Sequence, residues 1–293
     1  MKIHFCGVGK MGLPMAQHLA AAGHTLTVSD PGPERLAEAA LKGLSVPEDV
    51  ATAISASDIV FSSLPHDAAL LAVGAQVVGS ARAGSIFVDT STVSPSASAQ
   101  LAQDLESRGL HYIRVAVSGN NKMAEAAQLT VMASGPRAAY EQVLPLLKAL
   151  GPHQFYLGEA EQARLMKLVV NLMIAQTSAM LAEALTLGRK GGLNWTDMWQ
   201  VLTSSAVASP IVKAKSVQLA VRDFTPTFTV EQMIKDLELI VGAARDVHAP
   251  LPQTAATLQL MHAAVSQGQA LDDYAAIIKA VEASAGLSTD FKP

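Results

Sequence analysis

Residues 2–30 read KIHFCGVGKMGLPMAQHLAAAGHTLTVSD, and this stretch decides the fold. The short apolar run from Lys2 to Cys6 has the length and composition of a buried strand. It leads directly into Gly7-Val8-Gly9-Lys10-Met11-Gly12, a G-x-G-x-x-G pattern, and then into a helical stretch closed by Gly23. A second strand, residues 25–29, ends at Asp30. Strand, glycine turn, helix, strand and terminal acid within about thirty residues are the context that turns a weak pattern into a dinucleotide site. The first glycine permits the tight turn, the second lets backbone approach a diphosphate, and the third packs helix on strand. The helix N-terminus then offers free N–H groups and a positive dipole. A carboxylate at Asp30 accepts hydrogen bonds from ribose hydroxyls and repels a 2′-phosphate, which favours NAD over NADP. The alternative is an ordinary turn aspartate before Pro31-Gly32, and Arg35 close by softens the preference.

Outward from this unit the alternation continues. Strands are expected over residues 43–46, 58–64, 85–89, 111–117 and 129–134, with helices between them. Repeated βα units with short links predict a Rossmann-type α/β domain, a parallel sheet doubly wound by helices on both faces. Ligands bind such sheets beyond the carboxyl ends of the strands. Leu64-Pro65, Ser91-Thr92 and Ser118-Gly119 fall at those ends; singly each is a plausible turn, and together they outline one crevice. After Gly158 the strand pattern stops. Turn signals at Gly191-Gly192, Ser209-Pro210, Thr225-Pro226 and Ala249-Pro250 separate helical stretches. The expected organisation is a dinucleotide-binding domain over residues 1–160 and an all-α domain over residues 161–293.

The join is the second informative stretch, residues 158–192: GEAEQARLMKLVVNLMIAQTSAMLAEALTLGRKGG. Residues 165–187 hold no Pro or Gly and place apolar side chains on every face, which predicts one long helix buried on all sides. Lys167 and Asn171 are spaced i,i+4 and stack on one side, where Ser178 also falls. A lysine in such surroundings is neutral, paired or next to a ligand that needs it. Two plainer readings stand beside this one. In one the lysine simply snorkels outward from a core helix; in the other the run is a membrane span. Lys167, Asn171, Gln176 and Glu183 inside the run argue against a span, and no membrane partner is expected.

The 293 residues suffice for two cores, and with half of them apolar and 16% charged the chain is globular. A net charge of -4 and a pI near 6.1 give no reason to expect nucleic acid. The single Cys6 excludes an internal disulfide and suits a reducing compartment. The eight histidines are scattered, so no metal site is expected. The opening glycines belong to the nucleotide pattern rather than to a signal peptide, which makes the cytoplasm the expected location.

Several separated motifs occur in order along the chain: Gly7 to Met15 (GVGKMGLPM), Asp89 to Pro95 (DTSTVSP), Val117-Ser118-Gly119, Lys167 to Asn171 (KLVVN), and Phe228 followed by Lys235-Asp236-Leu237. In these the chain resembles the β-hydroxyacid dehydrogenase superfamily, which includes 3-hydroxyisobutyrate, tartronate semialdehyde and 6-phosphogluconate dehydrogenases. The resemblance implies an oxidoreductase that interconverts a small 3-hydroxy acid and its semialdehyde or keto acid. It implies Lys167 as the catalytic lysine, with Asn171 as its substrate-binding neighbour and Ser118 and Gly119 on the substrate carboxylate. It also implies a cofactor set of Gly7, Val8, Gly9, Lys10, Met11, Gly12, Asp30, Leu64, Pro65, Thr92 and Lys235, with NAD as the cofactor. Chemistry agrees with those roles, because oxidising a carbinol needs a hydride acceptor and a base, and a desolvated amine can serve as that base.

The chain departs from the family on the substrate side. Arg114-Val115-Ala116 stands where Asp-Ala-Pro is common, Asn120-Asn121 follow Gly119, and Glu161 and Ala163 replace two loop glycines. Asn120 and Asn121 either bind a polar substrate or belong to an adjusted loop. Arg114 either adds a positive charge for a second acid or serves structure. Rival readings are an imine-reductase-like enzyme of the same fold, against which Lys167 counts, and a non-catalytic dinucleotide-binding protein. A largely apolar helical domain predicts a homodimer or homotetramer.

Overall fold

The structure, a computed structural model, describes residues 1–291 and 293. Two compact units divide the chain, Met1–Lys167 and Leu168–Pro293. The first opens with β1 (Lys2–Cys6), α1 (Gly12–Ala21), β2 (Thr25–Ser29), α2 (Pro33–Leu41), α3 (Val50–Ala56) and β3 (Ile59–Ser62). It continues with α4 (Asp67–Ser80), β4 (Ile86–Asp89), α5 (Pro95–Ser107), β5 (His111–Ser118), α6 (Asn121–Glu125), β6 (Thr130–Ser134), α7 (Arg137–Lys148) and β7 (His153–Tyr156). The strands form one seven-stranded sheet in the order β2-β1-β3-β4-β5-β6-β7.

The expected doubly wound sheet is present, because both faces are covered. Ile3, Phe5, Ile59, Phe61, Val88 and Val115 point into one apolar core shared with α1 and α7. Cys6, Val60, Phe87 and Tyr112 point into another, built with α3, α4 and α5. Central strands buried on both sides read as continuous apolar runs, which is why β1, β3 and β4 were visible in the sequence. Cys6 is buried, and burial pushes its thiol up to about 12.

Three expectations are corrected. The sheet is not wholly parallel: β5 and β6 pair antiparallel, while β6 and β7 are again parallel. A parallel crossover needs about a dozen residues or more, and the link here carries only the short α6. Residues 43–46 do not form a strand; Ser45 makes an isolated bridge to Thr27, and its carbonyl accepts from Val28 N at 2.9 Å. β7 was not anticipated, because its HQFY sequence lies at the sheet edge and presents no apolar run.

α8 runs unbroken over Gln162–Lys190, from the first unit into the second. It is not buried on all sides. Leu168, Ala175, Leu181 and Leu185 are buried, whereas Met173 and Leu187 are 66% and 75% exposed. Met166, Met173, Met180 and Leu187 recur every seven residues and so form a stripe along one side. Among the described residues α8 is the one helix long and apolar enough to cross a membrane.

The second unit adds α9 (Trp195–Ser204), α10 (Pro210–Leu219), α11 (Val230–Asp246), α12 (Pro252–Ser266), a 3₁₀ turn (Tyr274–Ala276) and α13 (Ile277–Ser284). Polar side chains cap these helices, and of the expected turn residues Ser209 is one. Asn194 and Ser209 accept from the third residue of α9 and α10, and Thr229 with Gln232 forms a capping box on α11. The core gathers Trp195, Trp199, Met233, Leu237, Ile277 and neighbours. Buried Glu282 is held by Arg189 and bidentately by Arg222.

His4 ties the first two strands together, its ring nitrogens 2.9 Å from Thr27 Oγ1 and 3.0 Å from Ser29 Oγ. Burial lowers its pKa from the ordinary 6.5 to about 4. The unfolded chain therefore binds the extra proton between these values and the fold does not. The stabilisation is complete above pH 6.5 and is lost as pH falls toward 4, by up to about 3 kcal/mol. Urea unfolding of the wild type and of His4→Asn at pH 6.5 and pH 4 measures it. The wild type should lose about 2–3 kcal/mol more than the variant; equal losses would refute the assignment.

Candidate active site

The glycine loop leaves β1 with Gly7 at φ +91°, and Gly7 N donates to Ser29 O at 2.7 Å. A side chain on Gly7 would stand 2.4 Å from Ser63 O, and one on Gly12 would stand 1.9 Å from Gly7 O and 3.2 Å from the Phe5 ring. Gly9 differs, since a Cβ there would meet only the tip of Arg35, at 3.5 Å. Two glycines are thus consumed by packing and the middle one leaves the loop open to an approaching group. α1 starts without a side-chain cap; Leu13 N donates to Gly9 O at 3.0 Å and Pro14 has no N–H to satisfy. This cradle fits the diphosphate of a dinucleotide. Val8 is buried here, Met11 half-buried and Lys10 exposed.

The Asp30 side chain is 2% exposed and serves the loop directly. Its Oδ2 accepts from Val8 N at 3.0 Å and its Oδ1 from Gly32 N at 2.8 Å. The exposed Arg35 guanidinium lies 3.6 Å from the same carboxylate.

Beyond β3 and β4 a second set of expected residues is linked through Asp89. Asp89 Oδ1 accepts from Ser62 Oγ at 2.6 Å and from Ser91 Oγ at 2.5 Å. Ser91 Oγ in turn accepts from Leu64 N at 2.8 Å. The turns carrying Leu64-Pro65 and Ser91-Thr92 are therefore held to each other, with Leu64 and Thr92 half-buried and Pro65 exposed.

The other carboxylate oxygen of Asp89 pairs with Arg164, the third residue of α8. The Arg164 side chain is 1% exposed. It also donates to Ser91 O at 2.7 Å, Tyr112 Oη at 2.9 Å, Val115 O at 3.3 Å and Ser98 Oγ at 3.3 Å. Burial works against the guanidinium, but Tyr112, Asp89 and Glu161 outweigh it and its pKa is raised. Burial also pushes the Tyr112 phenol up to about 12.

Asp89, Arg114 and Ser134 are register partners across β4, β5 and β6, and each anchors the entry to α8. Ser134 Oγ donates to Ala160 O at 2.6 Å and accepts from Ala163 N at 3.2 Å. Arg114 pairs with Glu161 at 2.6 Å and lies over the Tyr112 ring. Arg114 is thus a structural residue. Its charge is matched by the glutamate that replaces a loop glycine, so two departures separated along the chain are one ion pair.

From this seat Lys167 Nζ donates to Val117 O at 2.8 Å, at the carboxyl end of β5. The half-buried Ser118 closes that strand. Gly119 follows at φ +142°, where a Cβ would stand 2.7 Å from Leu129. Asn120 caps α6, its Oδ1 accepting from Met123 N at 3.0 Å, and Asn121 begins that helix. The adjusted-loop reading of the two asparagines has this observation in its favour.

Further along α8, Asn171 is buried and its Nδ2 donates to Asp236 Oδ2 at 2.5 Å. Asp236 Oδ1 lies 3.0 Å from Lys235 Nζ as an ion pair. Ser178 is buried and bonded to Tyr274, against whose ring Phe228 packs edge-on. Arg164 and the bridging role of Asp89 were missed in the sequence. The available signal was a guanidinium at the head of an apolar helix, which demands a buried partner. Among the described residues no three His, Cys, Asp or Glu side chains converge on a metal position.

A family model described as the NAD binding domain of 6-phosphogluconate dehydrogenase matches residues 2–158. One described as NAD-binding of NADP-dependent 3-hydroxyisobutyrate dehydrogenase matches residues 162–281. The chain is 33% identical over 292 residues to 2-(hydroxymethyl)glutarate dehydrogenase of Eubacterium barkeri, covering 98% of this chain and 97% of that one. It is 31% identical over 290 residues to the chloroplastic glyoxylate/succinic semialdehyde reductase 2 of Arabidopsis thaliana, covering 97% and 80%. The solved structure of Mycobacterium tuberculosis 3-hydroxyisobutyrate dehydrogenase with L-serine superposes with a TM-score of 0.86 at 28% identity, covering 94% and 97%. The chain belongs to the β-hydroxyacid dehydrogenase superfamily of NAD(P)-dependent oxidoreductases.

Proposed function

We propose that the chain is an NAD-preferring dehydrogenase that interconverts a small 3-hydroxy acid and its semialdehyde or keto acid, with Lys167 as the acid/base. The observation that carries this reading is the Lys167 amine seated on the Val117 carbonyl, beside Ser118-Gly119 and in the same compact unit as the glycine loop. The compounds for which the two relatives are named, 2-(hydroxymethyl)glutarate and glyoxylate or succinic semialdehyde, support a small carboxylate as substrate.

Nicotinamide, when bound, supplies the acceptor for the hydride of the carbinol carbon. Lys167 takes the hydroxyl proton as that hydride leaves, and returns it in the reductive direction. The Val117 carbonyl holds one N–H of the amine and so fixes where the nitrogen points. Ser118 and the turn N–H groups at Gly119 suit the substrate carboxylate. Asn171 follows one helical turn beyond Lys167 on α8, and its amide is held by Asp236. Asp30 favours the unphosphorylated ribose, while Arg35 would offset part of the penalty for a 2′-phosphate.

The exposed α8 stripe of Met166, Met173, Met180 and Leu187 supports a homo-oligomer in which a second copy covers it.

Three measurements bear on this reading. Lys167→Met should lower kcat by roughly 10²–10⁴-fold while NADH binding, followed by fluorescence, stays within about threefold. Turnover near the wild-type rate would remove the lysine from the chemistry. kcat/KM should favour NAD over NADP by about tenfold or more, and a preference for NADP would overturn the assignment to Asp30. Light scattering should give twice or four times the chain mass at micromolar concentration, and a monomer would end the oligomer proposal.

A further inference from the structure

The Arg164–Asp89 pair is unusual for what it does not explain. An ion pair buried this completely is weak grounds for stability, because desolvating both charges consumes most of their attraction, and apolar residues of like volume often do as well. Its geometry points elsewhere. Every donor of Arg164 is directed to a separate acceptor on β4, the turn after it, α5 and β5: the Asp89 carboxylate, the Ser91 carbonyl, the Ser98 hydroxyl, the Tyr112 hydroxyl and the Val115 carbonyl. A planar fork satisfied on all sides fixes the position and the rotation of the helix that bears it. Lys167 is three residues further on that helix. A slip of one residue would carry it about 1.5 Å along the axis and turn it by about 100°, off the Val117 carbonyl. A misplacement of about 1 Å can lower a rate by about 10²-fold. The same Asp89 carboxylate is bonded through Ser62 and Ser91 to the turn at Leu64.

We propose that Arg164 and Asp89 are positioning residues that set the register of α8 and so hold the Lys167 amine on the Val117 carbonyl, with Asp89 tying that register to the turns at Leu64 and Ser91. The inference rests on the reading of Lys167 as acid/base for its catalytic consequence, but the placement of the amine can be measured without turnover.

The test uses the full-length protein and two variants. Arg164→Lys keeps the charge and loses the fork. Tyr112→Phe removes one partner hydroxyl and leaves the ion pair intact, so it reports even if the first variant does not fold. In protein free of cofactor, reductive methylation followed by peptide mass spectrometry reads the accessibility of Lys167 against exposed Lys148 on α7 as an internal control. Arg164→Lys should raise labelling of Lys167 by about threefold or more with Lys148 unchanged, and Tyr112→Phe should move it the same way by less. With NAD and substrate, kcat should fall in the same order, by about 30-fold or more for Arg164→Lys, while NADH affinity stays within threefold. A folded variant set with wild-type labelling and kcat overturns the proposal, as does labelling that rises equally at Lys148, which would mean general loosening. Raised labelling of Lys167 alone, together with turnover surviving in Lys167→Met, would uphold the positioning and refute only the catalytic reading.

Discussion

One carboxylate organises the first unit. Asp89 stands fully buried at the end of β4, and its two oxygens face different ways: one accepts from Ser62 and Ser91, the other from Arg164. A lone buried carboxylate is untenable, and removing Arg164 would leave one at a cost of about 3–5 kcal/mol. The strand end, the two turns beside it and the head of α8 are therefore obliged to occupy one arrangement. Such a constraint selects a single geometry rather than adding greatly to overall stability, and selection of geometry is what hydride and proton transfer require.

Much of the fold was legible because its signals are local. The run from Lys2 to Asp30 carries a strand, a glycine turn, a helix and an acid in fixed order, and packing at Gly7 and Gly12 leaves no alternative residue. Buried parallel strands announce themselves as apolar runs. What escaped was set by context. The antiparallel β5–β6 pair follows from a link too short for a crossover, and the edge strand β7 has nothing apolar to display. The burial of α8 was overestimated because an apolar side chain looks the same in sequence whether the chain's own core covers it or it lies exposed.

The site was legible in part for the same reason. Lys167 and the Val117-Ser118-Gly119 turn stand out by type and spacing, and the fold brings them together. The partners that hold them are tens of residues distant in sequence, and no periodicity links Arg164 to Asp89 or Asn171 to Asp236. Arg114 and Glu161 illustrate the point. Each looks like an isolated lapse from the family pattern, and only their pairing shows that the second compensates the first. Substrate specificity cannot be assigned to that arginine, which has its carboxylate already.

The buried Cys6 has a practical corollary. With its thiol held in the protonated form and shut away beneath the sheet, the protein has no sulfhydryl open to maleimides or iodoacetamide under native conditions. A cysteine engineered onto any surface position would be its sole reactive handle. Fluorophores or spin labels for following helix motions during turnover can thus be attached without first removing a native residue.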